Sequence, residues 1–218
     1  MKWRTPMRVQ DLRILISRDI YKQTKYLKNK GFTTFYSIKL KIPLVSLTVL
    51  EWGDVCKRIK RRNSFRQDRR FSRKNSPSNR DYKHSGYDRG HLIANAFKDF
   101  DLEHQHETFL LTNVAPQSPR ANRWVWAMLE HKVVLMTKFY GRISLAVGVI
   151  PSESKTIGRS VNVPDAFFMV VFAHSVNMVR VYIVPNNNQV NKQNLLKGRY
   201  RVNLRYLNSV LTYKIKII

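Results

Sequence analysis

The residue types able to do chemistry concentrate between Tyr82 and Glu130. Asp88-Arg89-Gly90-His91 comes first, then Thr112-Asn113-Val114-Ala115-Pro116-Gln117, then Asn122, Trp126 and Glu130. A histidine, a downstream amide and a carboxylate in this order suit a metal-assisted hydrolase. Hydrolysis of a phosphodiester makes three demands. Water must lose a proton near neutral pH, which suits imidazole. Charge on the non-bridging and leaving oxygens must be neutralised, by a metal ion or by arginine. The reacting groups must be held in line with the scissile bond.

His91 can meet the first demand. Gly90 allows a phosphate to approach the backbone closely, and Arg89 offers it a planar fork. Asn122 supplies a neutral oxygen. Mg²⁺ takes oxygen ligands and keeps several waters, so one amide plus water is a reasonable site. Glu130 follows on the same expected helix, roughly 12 Å along its axis. That spacing leaves it to hold water around a metal rather than to share the metal with Asn122. Taken singly, each residue has a plainer reading. A histidine after glycine is usually structural, Asn122 can be a helix cap, and Glu130 can be a solvated helix residue. Trp124 and Trp126 read as core, and His104 and His106 as loop histidines. The hydrolase reading rests on the pieces occurring together.

Composition points to a polyanionic partner. The chain has 218 residues, with 40 Lys and Arg against 14 Asp and Glu, a net charge of +26. Such a fold repels itself, and nucleic acid is the usual counter-charge; an anionic membrane surface is the weaker reading. Lys57 to Lys74 holds ten basic residues and the single acid Asp68, and no acid follows Asp165. That basic run reads equally as a solvated loop or as binding surface. The longest strictly apolar run, Ala166 to Ala173, is far too short to span a bilayer. Cys56 is the one cysteine, which excludes an internal disulfide or a Cys-based zinc site; core packing is its expected role. The N-terminus does not read as a secretory signal, and Asp11 and Asp19 argue against a mitochondrial presequence.

The elements that must position these residues are expected as follows. Residues 8–30 read as helical. Phe32 to Leu50 reads as two strands broken at Ile42-Pro43, and Lys57 to Arg80 as a long surface loop. Thr108 to Val114 reads as a strand. Pro119 opens a helix with its apolar stripe on Trp126, Leu129, Val133, Met136 and Tyr140, closed by Gly141. Ile143–Ile150, Ala166–Ala173 and Met178–Val184 read as strands, and the tail Leu195–Leu211 as strand then short helix. Without regular βα alternation, an α+β domain with a largely antiparallel sheet is favoured.

Tyr82 to Glu130 resembles the DNA/RNA non-specific endonucleases of the ββα-metal (His-Me finger) class, and within it the endonuclease G group. The matching pieces are Ser85 to Leu92, Thr108 to Gln117, and the Asn122–Trp126–Glu130 spacing, with weaker likeness across residues 30–210. The resemblance implies an antiparallel sheet with an inserted ββα-metal finger, often in a homodimer, acting on DNA and RNA. It implies His91 as general base, Asn122 as the direct protein ligand of a single Mg²⁺ or Mn²⁺, and Glu130 orienting water at the metal. Arg89 and Asn113 would position substrate and site, and an upstream arginine, Arg62 or Arg66, would help hold the phosphate. The organisation implied is a basic arm or helix over residues 1–30 and a nuclease domain over 31–218, in the mitochondrion or nucleus. Val134 and Met169 stand where the family often has a basic residue and a lysine. The competing expectation is a relative that holds nucleic acid without cutting it; a basic packaging protein with a chance motif is a third.

Overall fold

Ala166–Ala173 carries no polar side chain, so as a strand it needs cover on both faces. It lies inside a seven-stranded sheet that is antiparallel throughout. The order is Arg201–Val202, Met178–Pro185, Ala166–Ala173, Arg142–Ile150, Ile42–Glu51, Phe32–Ser37, Lys25–Asn29. This computed structural model describes residues 12–56 and 59–218, together with the short strand Trp3–Arg4. All of Ala166–Ala173 is buried. Part of the cover is the helix Ala127–Tyr140, which buries Leu129, Val133, Val134 and Thr137. Just ahead of it, Trp126 packs on Phe167 with ring centroids 5.5 Å apart. Gly141 ends this helix at φ 80°, a backbone angle that glycine adopts without strain. The C-terminal segment meets the sheet at the strand Ile42–Glu51, where the Tyr213 hydroxyl donates to the Leu44 carbonyl at 3.2 Å. The fold is α+β, as expected from the irregular mixture of helix and strand.

Several local expectations differ from what forms. The helix expected over residues 8–30 is absent from the described part, residues 12–30; residues 8–11 lie outside the described residues. Instead Ile14–Ser17 is a strand, Arg18–Lys22 a 3₁₀ turn and Lys25–Asn29 the edge strand of the main sheet. Ile14–Ser17 pairs with Ile215–Ile217, Ile16 opposite Ile215, so a partner at the far end of the chain overrides the local helical pattern. Ile42-Pro43 does not break the strand pair. The register slips, with Phe35 opposite Val45 and Tyr36 opposite Pro43. Leu44 is thus the extra residue of a bulge, and a bulge tolerates proline.

Thr108 to Val114 is not one strand. Leu102–Thr108 is a helix capped by Asp101, whose carboxylate accepts from the N–H groups of Glu103 and His104. A 3₁₀ turn, Leu111–Asn113, precedes the strand Val114–Gln117. His104 and His106 are therefore helical, not loop, residues. Cys56 is exposed rather than core. The basic run is irregular, as a surface loop should be; Lys57 and Arg58 lie outside the described residues. It is pinned by Asp68, which accepts from Arg70 and from the Thr112 hydroxyl. Among the described residues no helix is long and apolar enough to cross a membrane.

Candidate active site

Asp88–His91 and Val114–Gln117 form an antiparallel hairpin with His91 opposite Val114 and Asp88 opposite Gln117. The helix that begins at Pro119 follows directly, giving a strand, strand, helix unit. Asn113 locks the hairpin's base. Its amide oxygen accepts from the Ile93 N–H at 3.1 Å, and its amide nitrogen donates to the carbonyls of Ile93 and Thr108, both at 2.9 Å. The side chain is buried, and both its amide nitrogen and its oxygen are bonded within the protein. Gly90 is required by close packing. A Cβ there would fall 2.3 Å from the Gln117 side-chain oxygen.

His91 lies between two phenyl rings, with centroids 5.0 Å from Phe65 and 5.2 Å from Phe109. It is 8% exposed. Burial, reinforced by the positive charges of Arg61 and Arg89, lowers its pKa to about 3. The imidazole is therefore neutral at pH 7, the form that can accept a proton. An arriving phosphate would offset those two cations and raise the affinity of the ring for that proton.

The helix start is not regular. Ala121–Trp126 is a π-helical turn, in which the Ala127 N–H reaches back to the Asn122 carbonyl. In a regular α-helix Asn122 and Glu130 would point about 80° apart. The wide turn adds one residue without advancing the helical phase, which reduces the angle to about 20° and brings both to nearly one face. Asn122 Nδ2 donates to Asp88 Oδ2 at 2.9 Å. Since Asp88 can only accept, the amide is oriented with Oδ1 turned away. That oxygen has no protein partner among the described residues. Asp88 is held in turn by Arg123, with Nε at 2.8 Å from Oδ2 and Nη2 at 2.7 Å from Oδ1. Burial pushes the Asp88 carboxyl up, but the hydrogen bonds from Arg123 and Asn122 outweigh it and hold the pKa below the usual range.

Glu130 is pushed up to about 8 by burial, against the opposing pull of Arg61 and the Trp126 indole. The indole Nε1 makes no well-formed hydrogen bond. A nearby cation would favour the ionised carboxylate. The donor set fits one divalent cation bound sparingly. No group of three His, Cys, Asp or Glu is arranged around a point among the described residues. One oriented amide oxygen, with a carboxyl on the same helix face, suits a hard divalent cation that keeps most of its water.

Asn122, Asp88 and Arg89 share a cleft of about 510 Å³ with Arg61, Arg80 and Lys83. Arg89 donates to Asn79 Oδ1 at 2.9 Å and stands 4.7 Å over the Phe65 ring. The two arginines expected to assist from upstream are elsewhere. Arg62 and Arg66 line a separate cleft of about 1150 Å³, and Arg66 donates to the His106 carbonyl and pairs with its ring. The arginine of the upstream basic run that lines this cleft is Arg61. Its guanidinium lies 5.5 Å over Phe109, and its charge acts on both His91 and Glu130. Residue type alone could not single it out from the nine other basic residues of the run Lys57–Lys74. Asp88, also overlooked as the group that orients Asn122, was visible only as part of the motif. Trp126 is core as expected, whereas Trp124 is exposed.

The fold and this hairpin–helix unit agree with the DNA/RNA non-specific endonuclease family. The family's sequence model matches residues 16–215, and the chain belongs to that family. Within it the chain is similar to mitochondrial endonuclease G of Homo sapiens, 32% identical over 142 residues, 58% of this chain and 48% of that protein. It is also similar to the mitochondrial nuclease of Saccharomyces cerevisiae, 31% identical over 150 residues, 58% of this chain and 46% of that protein. The chain thus spans about half the length of these curated relatives. A solved complex of EndoG with EndoGI superposes with a TM-score of 0.74 at 25% identity, covering 85% of this chain and 82% of that one.

Proposed function

We propose that the chain is a metal-dependent, sugar-non-specific endonuclease that hydrolyses phosphodiester bonds of DNA and RNA. His91 takes the proton from the attacking water, which its neutral state allows. Arg61 and Arg89 hold the scissile phosphate, and Asn113 keeps the hairpin and its histidine in place. Asn122 Oδ1 would hold Mg²⁺ or Mn²⁺, which when bound neutralises charge developing on the phosphate and leaving oxygens. Glu130 accepts hydrogen bonds from water on the same helix face. The observation that carries the reading is the Asp88–Asn122 bond, which leaves one amide oxygen free beside a hairpin bearing a neutral histidine.

Val134 and Met169, where the family often has basic residues, are both buried here. The mitochondrial names of several relatives make that compartment the first to examine. Incubation with supercoiled plasmid and with single-stranded RNA, in Mg²⁺ or in EDTA, tests the proposal. Both should be cut in Mg²⁺ and neither in EDTA. Tight binding without cleavage in Mg²⁺ or Mn²⁺ would favour a non-cutting relative instead.

A further inference from the structure

Trp124 opens a surface that the proposed chemistry does not use. Half of it is exposed, at 50%, although Trp126 two residues on is fully buried. Two cations attend the ring: the Arg120 guanidinium 5.3 Å and the Lys192 ammonium 5.7 Å from its centre. Both side chains are on exposed residues, and neither has a carboxylate partner among the described residues. Arg123, between them in sequence, is by contrast paired with Asp88.

The platform is built rather than loose. Arg120 and Trp124 are four residues apart at the helix start, a spacing that puts them on one side. The loop that delivers Lys192 is tied to the same place. Asn186 accepts from the Ser118 N–H at 2.7 Å and donates to the Pro116 carbonyl at 3.0 Å, and Asn188 accepts from the Arg120 N–H at 3.2 Å. Asn191 then caps the helix Lys192–Leu196. Two segments, residues 116–124 and 186–192, therefore converge to present one indole and two cations.

We propose that Trp124, Arg120 and Lys192 form a subsite for single-stranded nucleic acid. An unpaired base stacks on the indole, and the two cations meet the flanking phosphates. Exposed cation–π contacts are worth only about 0.5–1 kcal/mol, so either cation can leave the ring for a phosphate and give its face to a base. Every base offers a flat face, so such a subsite is indifferent to sequence. In a duplex those faces are hidden within the stack, so the subsite discriminates by strandedness. The Cα atoms of Asn122 and Trp124 are at most about 7.6 Å apart, but side chains two residues apart face different sides of a helix, so a strand that reaches both the indole and the metal proposed at Asn122 crosses the helix start. The inference rests on the proposed reading of Asn122.

The test is affinity in the His91→Ala background, which separates binding from cutting. Labelled oligo(dT) and a duplex of the same length are titrated by fluorescence anisotropy. Trp124→Ala should weaken oligo(dT) binding about 5- to 150-fold and lower the ratio of single-strand to duplex affinity by at least fivefold; Trp124→Phe should restore most of the ratio. Arg120→Gln with Lys192→Gln should reduce the salt slope on oligo(dT) by about 1.4. Equal losses on both ligands, or none on oligo(dT), would overturn the subsite. Should Trp124→Ala fail to fold, an unchanged salt slope in the double cation variant overturns it equally. A protein that shows this discrimination and yet never cleaves would sink the nuclease reading and leave the subsite standing.

Discussion

The two arginine-lined clefts differ in what their charged groups are doing. The larger, about 1150 Å³, holds Lys30, Arg62, Arg66, Arg69 and Arg70. Most of these are tied up: Arg70 pairs with Asp68 at 2.6 Å, Arg66 binds His106, and Lys30 pairs with Glu103. The smaller, about 510 Å³, keeps an amide oxygen at Asn122 turned outward and lies beside the neutral His91. On the proposed function, size and positive charge do not mark the chemistry. Polar groups held in place with a valence left open do.

The largest expected effect comes from removing the proposed base. His91→Ala should reduce plasmid cleavage about 10²- to 10⁴-fold while nucleic-acid affinity, which comes from phosphate contacts, stays close to wild type. Gel-based cleavage beside anisotropy would show it, and equal cutting by the two proteins would remove His91 from its role. Next in size is the orienting carboxylate. Asp88→Ala leaves the Asn122 amide free to turn, and the Mg²⁺ needed for half-maximal cleavage should rise about 10- to 100-fold.

Arg61 and Arg62 are adjacent yet face different clefts, so Arg61→Ala should cut kcat/KM about tenfold or more and Arg62→Ala by less than about threefold. The pH profile adds a sign. His91 must be neutral, so activity is present above its pKa and lost as pH falls through it. With that pKa lowered to about 3, kcat/KM should not fall through the ordinary imidazole range on account of His91. Removing Arg61 takes away a cation that depresses it, so the acid limb should move to higher pH.

The smallest effect concerns stability rather than catalysis. Asp81 is buried and accepts from the Ser78 N–H at 2.7 Å and from Arg159 Nη2 at 3.0 Å. Burial pushes its carboxyl up, but these bonds prevail and hold its pKa well below the usual carboxylate range. Its contribution is then present above the unfolded pKa and lost as pH falls through the folded one. Asp81→Asn should cost about 1–3 kcal/mol at pH 7 and less in acid, as urea titrations at several pH values would reveal. A penalty that grew on acidification would show that the carboxylate does not act this way.

What the chain disclosed in advance follows from how local each cause is. The strands Arg142–Ile150 and Ala166–Ala173 were legible because unbroken apolar runs must be buried. The helix from Pro119 to Gly141 carried its own start and stop signals. Ile14–Ser17 was read as helix because the strand that claims it, Ile215–Ile217, lies at the other end of the chain. The motif from Asp88 to Glu130 showed which residue types gather. It did not show the π-helical turn that aligns Asn122 with Glu130, because an extra residue in a helix leaves no compositional trace. Nor did it show that Asp88 orients the amide, or that Arg61 rather than Arg62 or Arg66 stands by the histidine. Those depend on side-chain directions set by contacts distant in sequence.

The central claim is that Asn122, in the smaller cleft, holds the metal on which cleavage depends. Titrating Mg²⁺ into supercoiled plasmid with wild type, Asn122→Ala and Arg62→Ala tests it most directly. Wild type and Arg62→Ala should share one midpoint, and Asn122→Ala should need at least about tenfold more Mg²⁺. An Asn122→Ala curve lying on the wild-type curve would contradict it.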